Sequence, residues 1–491
     1  MDVAVLGATG DVGRQVCTQL IAGGLLTPTS RLQLVGRPGG SSASAAYGLR
    51  ADLVDAFDER APLIDVALSP DDVVADVVVA TAGRTAPARP GADSDRTALA
   101  ADNLEVFRSY ARALATHGSG KEVVIVVTNP VELGVAVMAD ALGRHRVIGM
   151  GAWLDTLRFR REIAVSLGLR RHRVGGFAAG EHGVRAVPLW STVRVAGLDA
   201  AERRAAVAHL RRDRSLDVLP QEVADAKRLL DEVAVRDVGE AFTLVDAMPA
   251  DLRVITRPWM THQSGAKTAA ATAAATVDLV RTLLDGRDIV VAGQVALDGE
   301  VDLPGRVLGV PVILGPEGWS RVVLDPLEDD ERRLLAASGH GIDTMLERLG
   351  VRPAAGGDPV VGEAAATPPD LRPGAEPRWE VAVELHAADE VGTVAMLTGV
   401  FASRGVSVES LATSTAPAAV PVAVPVAVPV VGRPATSSAT TLVSPPADAP
   451  GRAGAVVLTF RAGARRAREI TRTLERLAAV RRIVVREAAT A

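Results

Sequence analysis

An apolar run, Asp2-Val-Ala-Val-Leu6, passes directly into glycines at a fixed interval, Gly7-Ala-Thr-Gly10-Asp-Val-Gly13. No other feature of the chain constrains its fold as much. The run is too short for a buried helix and reads as a buried strand turning sharply into an amphipathic helix that continues through Ile21. Glycines let a backbone approach an anion closely. A helix N-terminus adds unpaired N–H groups and partial positive charge. The pattern therefore reads as a strand–turn–helix for a nucleotide pyrophosphate, with a ligand-free tight turn as the alternative.

Downstream segments repeat the theme. Residues 31–36, 73–81 and 122–128 are short Val/Ile-rich runs separated by helical patterns. Such alternation predicts a parallel sheet with helices on both faces, hence a doubly wound Rossmann-type α/β domain over residues 1–150. Residues 151–350 mix long helical patterns with strand-like pairs at 288–297 and 307–314, which suits an α+β second domain. Residues 351–378 are rich in Pro, Gly and Ala and read as a linker. Residues 379–413 and 453–488 each spell strand, helix, strand. Between them, 415–452 is low complexity and contains PVAVPVAVPV, where proline forbids helix and interior strand, so an extended or disordered insert is expected.

Composition narrows the classes of function. With 491 residues, 48% of them hydrophobic, the chain can form roughly two or three domains with a sizeable core. Lys+Arg 54 against Asp+Glu 59 leaves a net charge of −5 and no electrostatic case for nucleic acid or an anionic membrane. A small anionic substrate needs only a few local arginines. The lone Cys17 permits no internal disulfide and suits a reducing cytosol. The chain starts on a strand pattern without a basic leader, so no signal peptide is expected. No apolar stretch approaches the ~18 residues of a membrane span. A cytoplasmic protein is the expectation. Lysine occurs only at positions 121, 227 and 267.

Four further segments carry chemistry: Val-Val-Thr-Asn129-Pro-Val-Glu, Leu-Asp155-Thr-Leu-Arg158-Phe-Arg, Gly-Glu-His182-Gly, and the pair Leu-Asp-Gly-Glu with Gly-Val-Pro-Val-Ile-Leu-Gly within 297–315. An imidazole that titrates near neutrality suits proton transfer, a carboxylate beside it favours its protonated form, and a planar guanidinium grips a carboxylate. In this order and spacing, with the N-terminal turn, these segments resemble the malate/lactate dehydrogenases over roughly residues 1–350. The segments LVGR and GLRADLVDA are similar to archaeal-type malate dehydrogenases.

The resemblance implies an NAD(P)-dependent oxidoreductase acting on a 2-oxoacid/2-hydroxyacid pair, malate/oxaloacetate first, with no metal. It implies His182 as acid/base, Asp155 as the residue orienting it, Arg158 on the substrate C1 carboxylate, and Asn129 on substrate and nicotinamide. The loop 82–103 corresponds to a mobile loop whose arginine closes on the substrate carbonyl; the interval from Arg96 to Asn103 fits it. Arg89, before Pro90-Gly91, is the candidate for a second carboxylate, with Arg84 as its rival. Two departures weaken malate as the substrate. Val184-Arg185 follows Gly183 where the family usually has Asp, and Gly265-Ala266-Lys267 stands where it often has Gly-Ala-Thr. Lys267 either adds positive charge to the substrate pocket, suiting a di-acid or phosphonate-like substrate, or caps a helix start.

The cofactor residues implied are Gly7, Gly10, Asp11, Val12, Gly13, Gly36, Arg37, Ser41, Asn103, Val127 and Asn129. After the second strand the chain reads Val35-Gly36-Arg37, then Gly39-Gly40-Ser41-Ser42, with no carboxylate for a ribose 2′-hydroxyl. Arg37 and the serines suit a 2′-phosphate. NADP is favoured and NAD left open, with a solvated Arg37 as the plainer alternative.

Past the linker, Asp389-x-x-Gly392 between strand and helix, then Arg404-Gly405 and a strand ending Glu409-Ser410-Leu411, resemble the ACT domain, a βαββαβ ferredoxin-like fold. That resemblance implies an amino-acid effector at Asp389 and Gly392; a nonbinding dimerisation module is the alternative. The family resemblance implies a homodimer or homotetramer. Two functional alternatives remain: a dehydrogenase for another hydroxyacid, lactate-like or phosphonate-like, and a noncatalytic ligand sensor on the same fold.

Overall fold

The computed structural model describes residues 2–85, 96–303, 305–351, 377–385, 393–402, 406–414, 454–462 and 480–487, with Ala467, Ile470, Thr471, Leu474 and Leu477. The apolar runs become β1 (Asp2–Leu6), β2 (Arg31–Val35), β3 (Leu63–Ala67), β4 (Val77–Ala80), β5 (Val123–Val126) and β6 (Val147–Gly149). They pair in parallel in the order β3-β2-β1-β4-β5-β6. Four helices cross between them: α1 (Asp11–Ala22), α2 (Gly40–Phe57), α3 (Arg96–His117) and α4 (Val131–Leu142). Strands covered on both faces are largely apolar, and Val3 to Leu6 are fully buried. Strand order reverses between β1 and β4, and ligands of such sheets bind at the carboxyl ends of strands at that switch point.

The strand expected over 73–81 is only Val77–Ala80. Buried Gln33 explains the difference. Its side chain accepts from Val74 N at 3.1 Å and donates to Asp72 O at 3.1 Å, so a glutamine takes the backbone groups a strand partner would have used. Strands β3 and β6 have no counterpart in the sequence reading. β3 interrupts its apolar pattern with Asp65 and exposes Leu63, and β6 is too short to show a period.

The following segment adds α5 (Gly151–Ser166), β7 (Val174–Gly180), β8 (Ala186–Val195), α6 (Ala200–Arg211), α7 (Leu219–Ala234), α8 (Val238–Ala247), α9 (Ala250–Gln263) and α10 (Ala269–Asp285). β9 (Ile289–Ala296), β10 (Val307–Gly315), β11 (Gly318–Val322) and α11 (Asp329–Arg348) complete it. These strands pair antiparallel. β9 meets β6 at Gln294 and Gly149, so the 11 strands form one sheet, β3-β2-β1-β4-β5-β6-β9-β10-β7-β8, with β11 on β10. Met1–Ala364 is one compact unit, and the boundary expected near residue 150 falls inside its continuous sheet. A second core between α5, β7, β8, α7 and α9 gathers Phe159, Ile163, Trp190, Leu219, Val223 and Ile255.

Ala365–Ala491 is a second compact unit. It contains β12 (Arg378–Leu385), α12 (Thr393–Ala402), β13 (Val408–Ser414), β14 (Ala455–Arg461) and β15 (Val480–Glu487). The strands pair antiparallel in the order β13-β14-β12-β15. Val381, Val383 and Leu385 alternate into its core, where they meet Leu397, Phe401, Leu458 and Phe460. Ala467, Ile470, Leu474 and Leu477 are buried at helical spacing. The insert 415–452, most of the linker, and Asp389 and Gly392 lie outside the described residues. Among the described residues no helix is long and apolar enough to cross a membrane.

Candidate active site

At the end of β1, Gly7 adopts φ 75°, and a Cβ there would lie 2.7 Å from Ala82 Cα. A Cβ at Gly13 would lie 2.4 Å from Gly7 O. Both glycines are demanded by the packing of turn, helix and neighbouring strand. Gly10 is different: its nearest neighbour would be 3.4 Å away and its φ is −75°. Gly10 caps α1 with no side-chain hydrogen bond, so the first-turn N–H groups have no side-chain acceptor. That cradle fits a pyrophosphate. Asp11 opens the helix, and Val12 packs against the core.

At the end of β2, Gly36 N donates to Ala67 O at 2.9 Å, and Arg37 N donates to Ser42 Oγ at 3.0 Å. Ser42 therefore shapes this turn, while Ser41 and Arg37 are exposed. Burial raises the Tyr110 hydroxyl pKa, and the positive charge of Arg37 opposes that rise. The helix α2 begins here, capped by Gly39 without a side-chain bond.

The proton-transfer residues come together from distant segments. Asp155, on the first turns of α5, accepts at Oδ2 from Gly183 N at 3.1 Å and pairs with His182 Nδ1 at 2.8 Å. Its Oδ1 accepts from Arg158 Nη1, one turn along the helix, at 3.1 Å. His182 sits between β7 and β8 with its ring against the start of α5; a Cβ on Gly151 would lie 2.5 Å from His182 Cγ. Burial pushes the imidazole pKa down. The Asp155 charge and hydrogen bond outweigh burial and the opposing Arg158, so the net shift is upward. Burial alone would raise Asp155, but His182 and Arg158 hold it below the usual carboxylate range. With Nδ1 committed to Asp155, Nε2 is the nitrogen free to exchange a proton with a ligand.

Glu132 escaped the sequence reading. It is 3% exposed, and its Oε1 accepts from His182 N at 2.8 Å. Burial and neighbouring Glu181 push its pKa up. A carboxylate three residues after Asn129 carried no signal of its own, because only the fold brings it behind His182.

Asn129 is exposed at the end of β5, next to Val127, which is buried. Asn103 is fully buried: Oδ1 accepts from Arg84 N at 2.7 Å, and both Nδ2 hydrogens are used, on Arg84 O at 3.0 Å and Asn129 O at 2.6 Å. It ties the loop after β4 to the loop after β5. Arg84 is exposed and pairs with Asp102 at 3.0 Å. Arg89 and the Arg96 side chain lie outside the described residues. Lys267 is paired not with the His182 constellation but with Asp11, at 2.5 Å. Among the described residues no cluster of His, Cys, Asp and Glu is arranged for a metal.

Comparison with known proteins gives a consistent picture. Residues 1–149 match the lactate/malate dehydrogenase NAD-binding domain, and residues 260–348 match the lactate/malate dehydrogenase alpha/beta C-terminal domain. The malate dehydrogenase of Halobacterium salinarum is 29% identical over 358 residues, covering 71% of this chain and 99% of that protein. The L-lactate dehydrogenase of Lactobacillus helveticus is 29% identical over 300 residues, covering 60% of this chain and 81% of that protein. The lactate dehydrogenase of Cryptosporidium parvum, solved with lactic acid and nicotinamide adenine dinucleotide, superposes with a TM-score of 0.55. It is 23% identical and covers 72% of this chain and 98% of that one, a likeness of fold.

Proposed function

We propose that the chain, whose residues 1–149 and 260–348 match the two lactate/malate dehydrogenase domains, is a dehydrogenase of that family and reduces a small 2-oxoacid to its 2-hydroxyacid, oxaloacetate to malate first. The observation that carries the reading is the buried His182–Asp155 pair at 2.8 Å, with Arg158 on the same carboxylate. The bound nicotinamide cofactor supplies the hydride for the carbonyl carbon. His182 Nε2 gives its proton to the carbonyl oxygen, and Asp155 holds the imidazolium in place and favours it. Arg158 uses one of its five N–H donors on Asp155, which leaves the rest of the fork for the substrate carboxylate. Arg96 closes over the carbonyl, and Arg89 or Arg84 takes a second carboxylate. Oxidation of the hydroxyacid runs the same steps backwards, with neutral His182 as the base.

His182→Asn should lower turnover by roughly 10²–10⁴-fold while dinucleotide binding persists. The measurement is steady-state rate on oxaloacetate and pyruvate with both reduced cofactors. Near-normal turnover would remove His182 from the chemistry. Faster reduction of pyruvate than of oxaloacetate would move the substrate to the lactate class.

The cofactor is a nicotinamide dinucleotide, and NADP is our choice over NAD. The turn after β2 has no carboxylate at Gly36, carries Arg37 and leads into the uncapped N-terminus of α2. Gly36→Asp should move preference toward NADH by roughly tenfold or more. A wild-type enzyme already selective for NADH would sink this choice.

The second unit we read as an ACT-like module that answers to an amino acid, on a homo-oligomeric enzyme. Its antiparallel order β13-β14-β12-β15 is the support for that reading. The single, free and buried Cys17 suits the cytosol.

A further inference from the structure

Lys267 stands two residues before the start of α10 and two residues after Gly265 at φ 85°. Its ammonium reaches back across 256 positions of sequence to Asp11, the first residue of α1. The two helices are tied again further along, where Gln19 Nε2 donates to Ala270 O at 3.3 Å. The ion pair is not buried: Lys267 is 47% and Asp11 58% exposed at the side chain. Exposed pairs of this kind add little to stability. Its position, however, is particular. It lies on the helix whose first-turn N–H groups lack a side-chain acceptor, beside Gly10.

Asp11 poses an electrostatic problem there. A carboxylate at a helix N-terminus favours the ligand-free helix, because it complements the macrodipole. The same carboxylate repels a pyrophosphate brought to that turn. A cation held against Asp11 removes the repulsion and can be transferred to the incoming phosphates. Arg14, whose Nε donates to Thr9 O at 2.9 Å, places a second cation on the same turn.

We propose that Lys267 is a ligand of the cofactor pyrophosphate, held in reserve by Asp11 until the dinucleotide arrives, and not a residue of the substrate pocket. The assignment rests on the dehydrogenase reading, and it concerns binding alone; no bond is made or broken. In the ligand-free protein the ammonium spans from the turn before α10 to α1. On binding, the phosphate oxygens replace the Asp11 carboxylate as its partner. The two side chains therefore act on affinity with opposite signs.

Calorimetric titration of NADH, NADPH and ADP-ribose into the wild type, Lys267→Met and Asp11→Asn tests this. ADP-ribose keeps the pyrophosphate and lacks the nicotinamide. Lys267→Met should raise Kd roughly tenfold for all three ligands, and added salt should weaken their binding less than in the wild type. Asp11→Asn should lower Kd severalfold. Melting temperature should move by about 2 °C or less in either variant, and KM for the oxoacid at saturating cofactor should stay within about twofold. The assignment is overturned if Lys267→Met leaves ADP-ribose affinity unchanged and raises KM, because the lysine then serves the substrate. It is equally overturned if both variants shift melting and neither shifts affinity, because the pair is then only a tie between helices. A wild type that binds none of the three would overturn the dehydrogenase reading and this assignment with it, a result distinct from either.

Discussion

His182 and Asp155 pull each other's proton equilibria apart. The imidazole is raised above its ordinary 6.5, so the stability it contributes is fully present below about pH 6.5 and is lost as pH rises through its higher folded value. Asp155 is lowered below its ordinary 3.8, so its contribution is present above about pH 3.8 and is lost as pH falls through the lower folded value. Reduction needs the imidazolium, so kcat/KM in that direction should decline with pH along a limb placed above 6.5. In Asp155→Asn the carboxylate is gone, and burial and Arg158 are then opposed only by the lesser pull of Glu132, so that limb should move to acid pH. At neutral pH the loss should be roughly 10²–10⁴-fold. A pH profile of the variant that keeps the wild-type limb would show that the pair does not set the proton affinity.

At the level of elements, the catalytic ring is held by close approach. The first residue of α5 is Gly151, and the His182 ring occupies the space a side chain would take there. Alanine is the better helix former by about 1 kcal/mol, so Gly151→Ala would be expected to strengthen an isolated helix. Here it should displace the ring and lower kcat on the order of 10²-fold, without a comparable fall in melting temperature. Unchanged kcat would mean that the ring can shift without cost. The same elements mark how far sequence reading reached. β1, β2 and β5 are visible because a strand covered on both faces must be apolar at most positions, with Gln33 of β2 buried only because its amide is hydrogen-bonded. β4 is shorter than its apolar run because Gln33, in another strand, takes the backbone groups of 72–74. No period within 73–81 reports on a glutamine that lies 39 positions away from its Asp72 partner.

The whole molecule divides at Ala364, and every described residue assigned to catalysis lies before that point. Helix α11 ends at Arg348, and Val351 still packs into the first core, so a shortened chain must keep it. A chain of residues 1–364 should fold, melt cooperatively and retain its turnover. Any response of the full-length enzyme to valine, leucine or isoleucine must come from unequal binding to two states, and the shortened chain should lose it. Calorimetry and rate measurements on both chains check this. An inactive but folded short chain would mean that the two units cooperate in catalysis.

What sequence alone determined about this protein is what acts over a few residues. The glycine interval that turns β1 into α1, the apolar periods, and the residue types able to move a proton or grip a carboxylate were all legible, as was their order along the chain. Tertiary structure decided the partnerships. It set Glu132 behind His182, 50 positions away, tied the Asn103 amide to the backbone at Arg84 and Asn129, and sent Lys267 to Asp11. Backbone sterics and hydrophobic periodicity are local, so they leave their mark in adjacent residues. A hydrogen bond or ion pair between distant segments depends on where packing brings them, and a single glutamate, asparagine or lysine carries no trace of that destination.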